Sequence, residues 1–191
     1  QSFKKGYGIE TDIHATKDNE FICFHDFTLN RIFKKNVSIK NLNYSKIKEI
    51  SSKNKKTIPL LKDLLKISKN KYLLFIELKP TFSKKLLQKL LKETSNYTKC
   101  VFISFKHKNI YNLLKIKNNT KVGLSFSNST SVKMVIKKSS NKQIDYLILD
   151  KSFLKNKNIQ NLKIKKYYYT IKTKSEFNRY NNKNNLIFEN L

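Results

Sequence analysis

The sequence predicts an α/β fold in which parallel strands alternate with helices. Short apolar runs of strand length recur from one end of the chain to the other, and stretches with helical periodicity lie between them. The chain has 191 residues, enough for one domain of ordinary size, and contains only three glycines and two prolines. Because no stretch rich in these residues marks a linker, we expect a single domain over residues 1–191.

Each predicted element rests on its own local pattern. The predicted strands cover residues 8–13, 21–24, 72–78, 101–105, 121–126, 146–149, 167–171 and 186–188. Leucines at helical spacing predict a helix after Pro59 and another after Ser83, and weaker patterns predict helices over 107–116, 131–139, 154–162 and 174–180. Residues 32–57 are polar and lysine-rich without a clear period, so we expect a long connection or a small insertion there.

The composition is strongly basic, with a formal net charge of +28 at pH 7. Proteins that read nucleic-acid bases rely on arginine, but Arg31 and Arg179 are the only arginines here and the lysines are spread through nearly every segment. We therefore interpret the charge as a compositional bias and expect no nucleic-acid partner. A positive field would still concentrate an anionic small-molecule substrate near the protein.

Hydropathy and cysteine usage indicate where in the cell the protein is expected. No apolar run approaches the roughly 20 residues that a membrane-spanning helix needs. Cys23 and Cys100 lie in apolar, strand-like runs, where a thiol behaves as a small hydrophobe. We expect both thiols to be reduced, which points to the cytoplasm. The sequence indicates no oligomeric state.

Two short strands near the N-terminus bring acidic and imidazole side chains together. Asp18 and Asn19 lie between them and suit a tight hairpin turn. If these two residues form the turn, Asp12 lies opposite His25, and Glu10 shares their face because side chains two apart point the same way. Such a cluster is suited to binding a hard metal ion and to proton transfer.

The first strand alone leaves a simpler alternative open, in which Glu10, Asp12 and His14 form the solvated face of an alternating strand. A second strand favours the functional interpretation. The apolar run over 72–78 ends with Glu77 and is followed by Lys79, so both charges lie at the carboxyl end, where barrel enzymes carry their chemistry. The acid suits a divalent cation, and the lysine suits a phosphate oxygen.

Several motifs occur in a familiar order. Residues 6–19 read Gly-Tyr-Gly-Ile-Glu-Thr-Asp-Ile-His-Ala-Thr-Lys-Asp-Asn, followed by Phe-His-Asp at 24–26, Leu29, Arg31, Ile-Pro-Leu-Leu at 58–61 and Ile-Glu-Leu-Lys at 76–79. This pattern resembles the signature of the glycerophosphodiester phosphodiesterases. Looser matches at 103–105 and 169–172 extend the resemblance over nearly the whole chain.

The resemblance implies a TIM-type (β/α)8 barrel that hydrolyses glycerophosphodiesters to sn-glycerol 3-phosphate and an alcohol, usually with Mg²⁺ or Ca²⁺. By matched position, it assigns Glu10, Asp12 and Glu77 to the metal, His25 to an active-site histidine, Lys79 to the substrate phosphate, and Phe105 and Tyr169 to the glycerol pocket. At the last position tyrosine stands where the family usually has tryptophan. The implied setting is glycerophospholipid breakdown.

One departure from the family pattern affects catalysis. The family begins with a strand that ends in His-Arg-Gly, which has no match in this sequence. We therefore interpret the chain as lacking the first barrel strand and expect it to be nearly inactive alone. His14 and His107 do not match the absent histidine; we expect the first at the surface and the second at the start of a helix.

Two other functions remain open on the sequence. One is a phospholipase D-like phosphodiesterase of the same superfamily that acts on larger choline or sphingolipid phosphodiesters. The other is a non-catalytic barrel that binds ligands carrying phosphate, or nucleic acid, through its lysines. The substrate pocket distinguishes the first alternative, and the salt dependence of binding distinguishes the second.

Overall fold

The computed structural model describes residues 2–189 and divides the chain into two compact units, Gln1–Val101 and Phe102–Leu191. Helices and strands alternate in both units, so the predicted α/β class is confirmed. The division of the chain into domains stays a prediction.

The first unit contains a small sheet with strand order β2-β1-β3. Its strands are β1 (Ile9–Ala15), β2 (Phe21–Cys23) and β3 (Leu74–Leu78), and its helices are α1 (Asn30–Phe33), α2 (Tyr44–Lys53), α3 (Leu61–Ser68) and α4 (Lys84–Glu93), with 3-10 helices at Ser2–Lys5 and Ile39–Asn41. Strand β1 pairs with β2 in antiparallel and with β3 in parallel orientation. All three predicted strands of this half are present.

The entry into β1 requires a glycine. A Cβ atom on Gly8 would lie 2.5 Å from the carbonyl oxygen of Leu73, a distance that real Cβ atoms essentially never show. The amide of Ile9 donates a hydrogen bond to the same oxygen at 3.0 Å. Gly8 therefore lets β1 approach the start of β3 closely enough for their parallel pairing.

The hairpin between β1 and β2 differs from the predicted register by one residue. Ile13 pairs with Cys23 and His14 with Ile22, and the amide of Phe24 donates to the carbonyl of Asp12 at 2.9 Å. The loop has three residues rather than two, and Asn19 adopts a left-handed conformation with φ of 61°. Such a loop is a common hairpin connection, but here it places Phe24 instead of His25 opposite Asp12.

The polar segment over 32–57 is largely structured. It contains the ten-residue helix α2, which the sequence pattern did not predict. Its apolar side chains pack into a compact cluster with residues from its flanks. The buried members are Ile22, Leu29, Phe33, Ile39, Ile47, Ile58 and Leu60. Its interpretation as an insertion stays a prediction.

The second unit contains parallel strands in the order β4-β5-β6-β7-β8, with β4 crossing the boundary between the units. The elements are β4 (Cys100–Ser104), α5 (His107–Ile116), β5 (Val122–Phe126), α6 (Val132–Ser139), β6 (Tyr146–Asp150), α7 (Lys157–Gln160), β7 (Lys165–Ile171), α8 (Lys174–Tyr180) and β8 (Asn185–Phe188). The predicted helix over 154–162 is instead a 3-10 helix, Lys151–Lys155, followed by α7. Asn156 separates them because its side chain accepts from the amide of Ile159 and caps α7.

Both cysteines are free thiols, Cys23 partly buried and Cys100 buried. Burial raises the pKa of Cys23 to about 11 and that of Cys100 to about 12. Among residues 2–189, none of the helices is both long enough and apolar enough to cross a bilayer.

Candidate active site

Three carboxylates converge in the first unit. Glu10 and Asp12 alternate along β1, and the parallel register of β1 and β3 places Asp12 directly beside Glu77. One oxygen from each carboxylate lies within 4.8 Å of the others. Their convergence depends on strand alternation and on the β1–β3 pairing, and therefore persists despite the shifted hairpin register.

The protein environment disfavours three negative charges at this place. Burial, followed by the nearby charges of Asp12 and Glu77, raises the pKa of Glu10 to about 8. Burial also raises the pKa of Glu77, although the positive charge of Lys79 partly opposes it. Like charges held together away from water are typical of sites that bind a cation.

Lys79 lies among these carboxylates, as its position two residues after Glu77 predicts. Its Nζ atom is 3.3 Å from an oxygen of Asp12 and 3.3 Å from an oxygen of Glu77. Burial disfavours the ammonium form, but the two ion pairs outweigh burial and raise the pKa of Lys79. The lysine is therefore a fixed positive charge within the cluster.

The donor set fits a hard divalent cation. Mg²⁺ and Ca²⁺ take oxygen ligands, and Glu10, Asp12 and Glu77 each offer a carboxylate oxygen within the space that one ion occupies. A bound cation would replace the compensating charge that Lys79 now supplies. These three residues could hold a metal ion.

His25 lies just beyond β2 in an irregular segment, with its side chain 65% exposed. Its Nδ1 atom is 2.8 Å from Asp26, whose other oxygen accepts a 2.7 Å hydrogen bond from Nε of Arg31. The hydrogen bond from Arg31 is the main reason that the pKa of Asp26 is lowered. His25 is also close enough to the acidic cluster for its charge to lower the pKa of Glu77.

Asp26 and Arg31 belong to the N-terminal motif, but the motif assigns neither of them a role. The structure makes them a chain of contacts that orients His25 from its Nδ1 side. The sequence does carry a signal for these contacts. Asp26 directly follows His25, and Arg31 follows Asp26 by five residues, so one short turn can bring the three side chains together.

The prediction that His14 lies at the surface is wrong. Strand β1 extends through Ala15, and the side chain of His14 is only 3% exposed. Its Nε2 atom lies 3.3 Å from the carbonyl oxygen of His25, and its ring meets that of Phe27 edge-on at 5.0 Å. Burial is the main reason that the pKa of His14 is lowered.

Phe105 and Tyr169, the predicted glycerol-pocket residues, lie in the second unit and contact each other. Their ring centroids are 5.8 Å apart in an edge-on arrangement, and Phe105 is 42% exposed. The hydroxyl of Tyr169 donates a 2.9 Å hydrogen bond to the carbonyl of Phe126. Their role as pocket residues stays a prediction.

His107 begins α5, as predicted. Its Nε2 atom donates to the carbonyl of Ser125 at 2.9 Å, and its Nδ1 atom accepts from Nζ of Lys138 at 2.7 Å. Burial lowers the pKa of His107. Both ring nitrogens are thus engaged in contacts within the second unit, an arrangement typical of a structural histidine.

Comparisons with known proteins agree with this arrangement. Residues 1–186 match the model of the glycerophosphoryl diester phosphodiesterase family. No curated protein matches the chain significantly in sequence.

Solved structures share the fold over most of the chain. A glycerophosphodiester phosphodiesterase from Thermotoga maritima has 18% identity and a TM-score of 0.76, over 94% of this chain and 80% of its own. A phosphodiesterase from Oleispira antarctica, in complex with its product sn-glycerol 3-phosphate, has 19% identity and a TM-score of 0.80, over 95% and 80%. A third enzyme, from Agrobacterium tumefaciens, has 15% identity and a TM-score of 0.76, over 100% and 86%.

These likenesses confirm the predicted TIM-type barrel class. The family match covers the acidic cluster and the strands of the second unit as far as the start of β8. The chain therefore belongs to the glycerophosphoryl diester phosphodiesterase family, a class of phosphoric diester hydrolases, as its N-terminal motifs predict.

Proposed function

We propose that this protein hydrolyses glycerophosphodiesters to sn-glycerol 3-phosphate and an alcohol, with a divalent cation as cofactor. The observation that carries the proposal is the convergence of Glu10, Asp12 and Glu77 within 4.8 Å, with Lys79 beside them. The substrate class is supported by family membership and by the Oleispira antarctica neighbour, which holds sn-glycerol 3-phosphate.

Glu10, Asp12 and Glu77 would hold the cation, either Mg²⁺ or Ca²⁺, through their oxygens. When bound, the cation neutralises negative charge that develops on the phosphate oxygens in the transition state. Lys79 would contact a phosphate oxygen as a point charge, for which its fixed position beside Glu77 is suited.

His25 would act as the general acid. Asp26 engages Nδ1 of its ring, so Nε2 is the nitrogen left for proton transfer. The bond between phosphorus and the alcohol oxygen breaks, and His25 delivers a proton to that oxygen. Hydrolysis forms the new bond between phosphorus and a water oxygen. We assign the base that deprotonates this water to none of the described residues.

Phe105 and Tyr169 would line the pocket for the glycerol moiety. The two rings meet edge-on, and Phe105 remains substantially exposed. The hydrogen bond from the Tyr169 hydroxyl to the Phe126 carbonyl fixes the end of the tyrosine ring. Aromatic faces of this kind can pack against the carbon atoms of glycerol. We also propose that the reaction serves glycerophospholipid breakdown in the cytoplasm.

The test is an assay of the product of the full reading frame with glycerophosphocholine and glycerophosphoethanolamine. We expect formation of sn-glycerol 3-phosphate, loss of activity in EDTA and recovery with Mg²⁺ or Ca²⁺. Full activity in excess chelator would contradict the metal-dependent mechanism. Absence of turnover, together with phosphate-ligand binding that weakens steeply as salt rises, would favour the non-catalytic alternative.

A further inference from the structure

We propose that His14 is a positioning residue that holds the His25 backbone in place for proton transfer. The inference rests on the proposed function of His25 and goes beyond it, because neither the motif nor the predicted cluster gives His14 a part. It is carried by the contact between His14 Nε2 and the carbonyl oxygen of His25.

The position of His14 in β1 explains why its side chain can reach the backbone of His25. Side chains two apart in a strand point to the same face, so His14 follows Glu10 and Asp12 on the side of the acidic cluster. The two carboxylates are partly buried, whereas His14 is 3% exposed. His14 is thus less exposed than Glu10 and Asp12, and it contacts the segment that carries His25.

The contact has a defined direction. A carbonyl oxygen can only accept, so Nε2 of His14 must carry the hydrogen that it donates over 3.3 Å to the carbonyl of His25. Phe27, two residues after His25, lies against the same imidazole, and the two rings meet edge-on with their centroids 5.0 Å apart. His14 therefore contacts the backbone of His25 and the side chain of Phe27.

This anchor complements the contacts on the side chain of His25. Strand β2 ends at Cys23, and the last hydrogen bond that continues its pairing runs from the amide of Phe24 to the carbonyl of Asp12. Beyond that point Asp26 orients the imidazole of His25 through Nδ1 at 2.8 Å. His14 contacts the backbone carbonyl of the same residue, so one hydrogen bond holds the backbone of His25 and another orients its ring.

Two conservative substitutions separate hydrogen bonding from packing. The amide nitrogen of glutamine reaches about as far along the side chain as Nε2 of histidine, whereas that of asparagine reaches only as far as Nδ1. His14→Gln can therefore keep the donor at the carbonyl of His25, and His14→Asn cannot. In the product of the full reading frame we expect His14→Asn to lower kcat about 10- to 100-fold with little change in KM, and His14→Gln to recover most of that loss.

A double-mutant cycle tests whether the effect runs through His25. In a His25→Ala background, adding His14→Asn should change the residual kcat by less than about twofold, because the group that it positions is already absent. If the full loss from His14→Asn appeared in that background as well, or if His14→Gln recovered nothing, His14 would be a packing residue and the proposal would be overturned.

Nuclear magnetic resonance gives a readout that does not need turnover. The order parameter of the His25 imidazole should be high in the unaltered protein, fall in His14→Asn and return in His14→Gln. An order parameter unchanged in His14→Asn would contradict the proposal; a protein without phosphodiesterase activity would contradict the proposed function alone.

Discussion

Asp12 and Glu77 lie directly beside each other in the parallel pairing of β1 and β3, and Lys79 reaches one oxygen of each at 3.3 Å. The ammonium thus compensates the same carboxylates that would bind a cation. A cation held by these carboxylates would compete with Lys79 for their oxygens. Substitutions of Glu77 and Lys79 can therefore be distinguished by their effects on metal affinity.

Glu77→Gln and Lys79→Ala should change metal affinity in opposite directions. Removing a carboxylate ligand should weaken Mg²⁺ binding at least about tenfold, whereas removing the competing ammonium should strengthen it. Lys79→Ala should nevertheless lower kcat/KM about 10- to 100-fold, because it loses a charged contact with phosphate. Isothermal titration calorimetry and the glycerophosphocholine assay measure the two effects.

Glu49→Gln is the matched control, since Glu49 lies on α2 and pairs with the exposed lysines Lys46 and Lys53. It should alter neither metal affinity nor turnover. Equal metal affinity in Lys79→Ala and the unaltered protein would show that the lysine does not compete for the carboxylates.

The raised pKa of Glu10 makes metal binding dependent on pH. With a pKa of about 8, the carboxyl is mainly protonated at pH 7 in the metal-free protein, but only the carboxylate can bind a cation. Binding at pH 7 should therefore release close to one proton, and affinity should fall about tenfold per pH unit below pH 8. Above pH 8 this dependence should disappear.

Calorimetry in buffers of different ionisation enthalpy measures the released proton. Glu10→Gln should remove most of the buffer dependence while also weakening binding. A binding enthalpy at pH 7 that is independent of the buffer would show that Glu10 is already ionised before the metal arrives.

The sequence predicted the eight strands and the acidic cluster well, for a physical reason. Buried parallel strands are short apolar runs, and side-chain alternation alone places Glu10 and Asp12 on one face. The helix α2 was not predicted because its apolar side is small and its surroundings are polar and rich in lysine. Its N-terminus is stabilised by Asp18, which lies 26 residues earlier in the chain.

The hairpin register and the surroundings of the histidines could not be predicted from local pattern. A two-residue and a three-residue loop both fit the sequence around Asn19, and their difference decides which residue faces Asp12. Phe27 folds back against the ring of His14 after β2 has ended and covers part of it. Tertiary contacts of this kind produce no periodic pattern in the sequence from which they could be predicted.

The cysteines should be unreactive in the folded protein. Their raised pKa values, about 11 for Cys23 and about 12 for Cys100, mean that almost no thiolate is present at pH 8, and the thiolate is the reacting form. Ellman's reagent at pH 8 should label neither thiol on the time scale of its reaction with free cysteine. In urea both should react at once; rapid labelling of the native protein would show that a thiol is exposed.

Asp18 joins the hairpin loop to the helix α2. Its carboxylate accepts from the amide of Tyr44, the first residue of α2, at 3.0 Å, whereas the side chain of the N-cap residue Asn43 makes no capping hydrogen bond. Asp18 thus acts as a helix cap from a distant part of the chain. Asp18→Ala should lower the free energy of unfolding by about 1 kcal/mol, as loss of a helix cap does.

Urea unfolding should show the loss as a lower midpoint with an unchanged slope. Asp18→Asn should retain much of the stability, because its side-chain oxygen can still accept from Tyr44, and Glu49→Gln on the surface of α2 should change it by less than about 0.5 kcal/mol. If Asp18→Ala were as stable as the unaltered protein, α2 would not depend on the hairpin loop, and the loop could not account for the helix that the local pattern failed to predict.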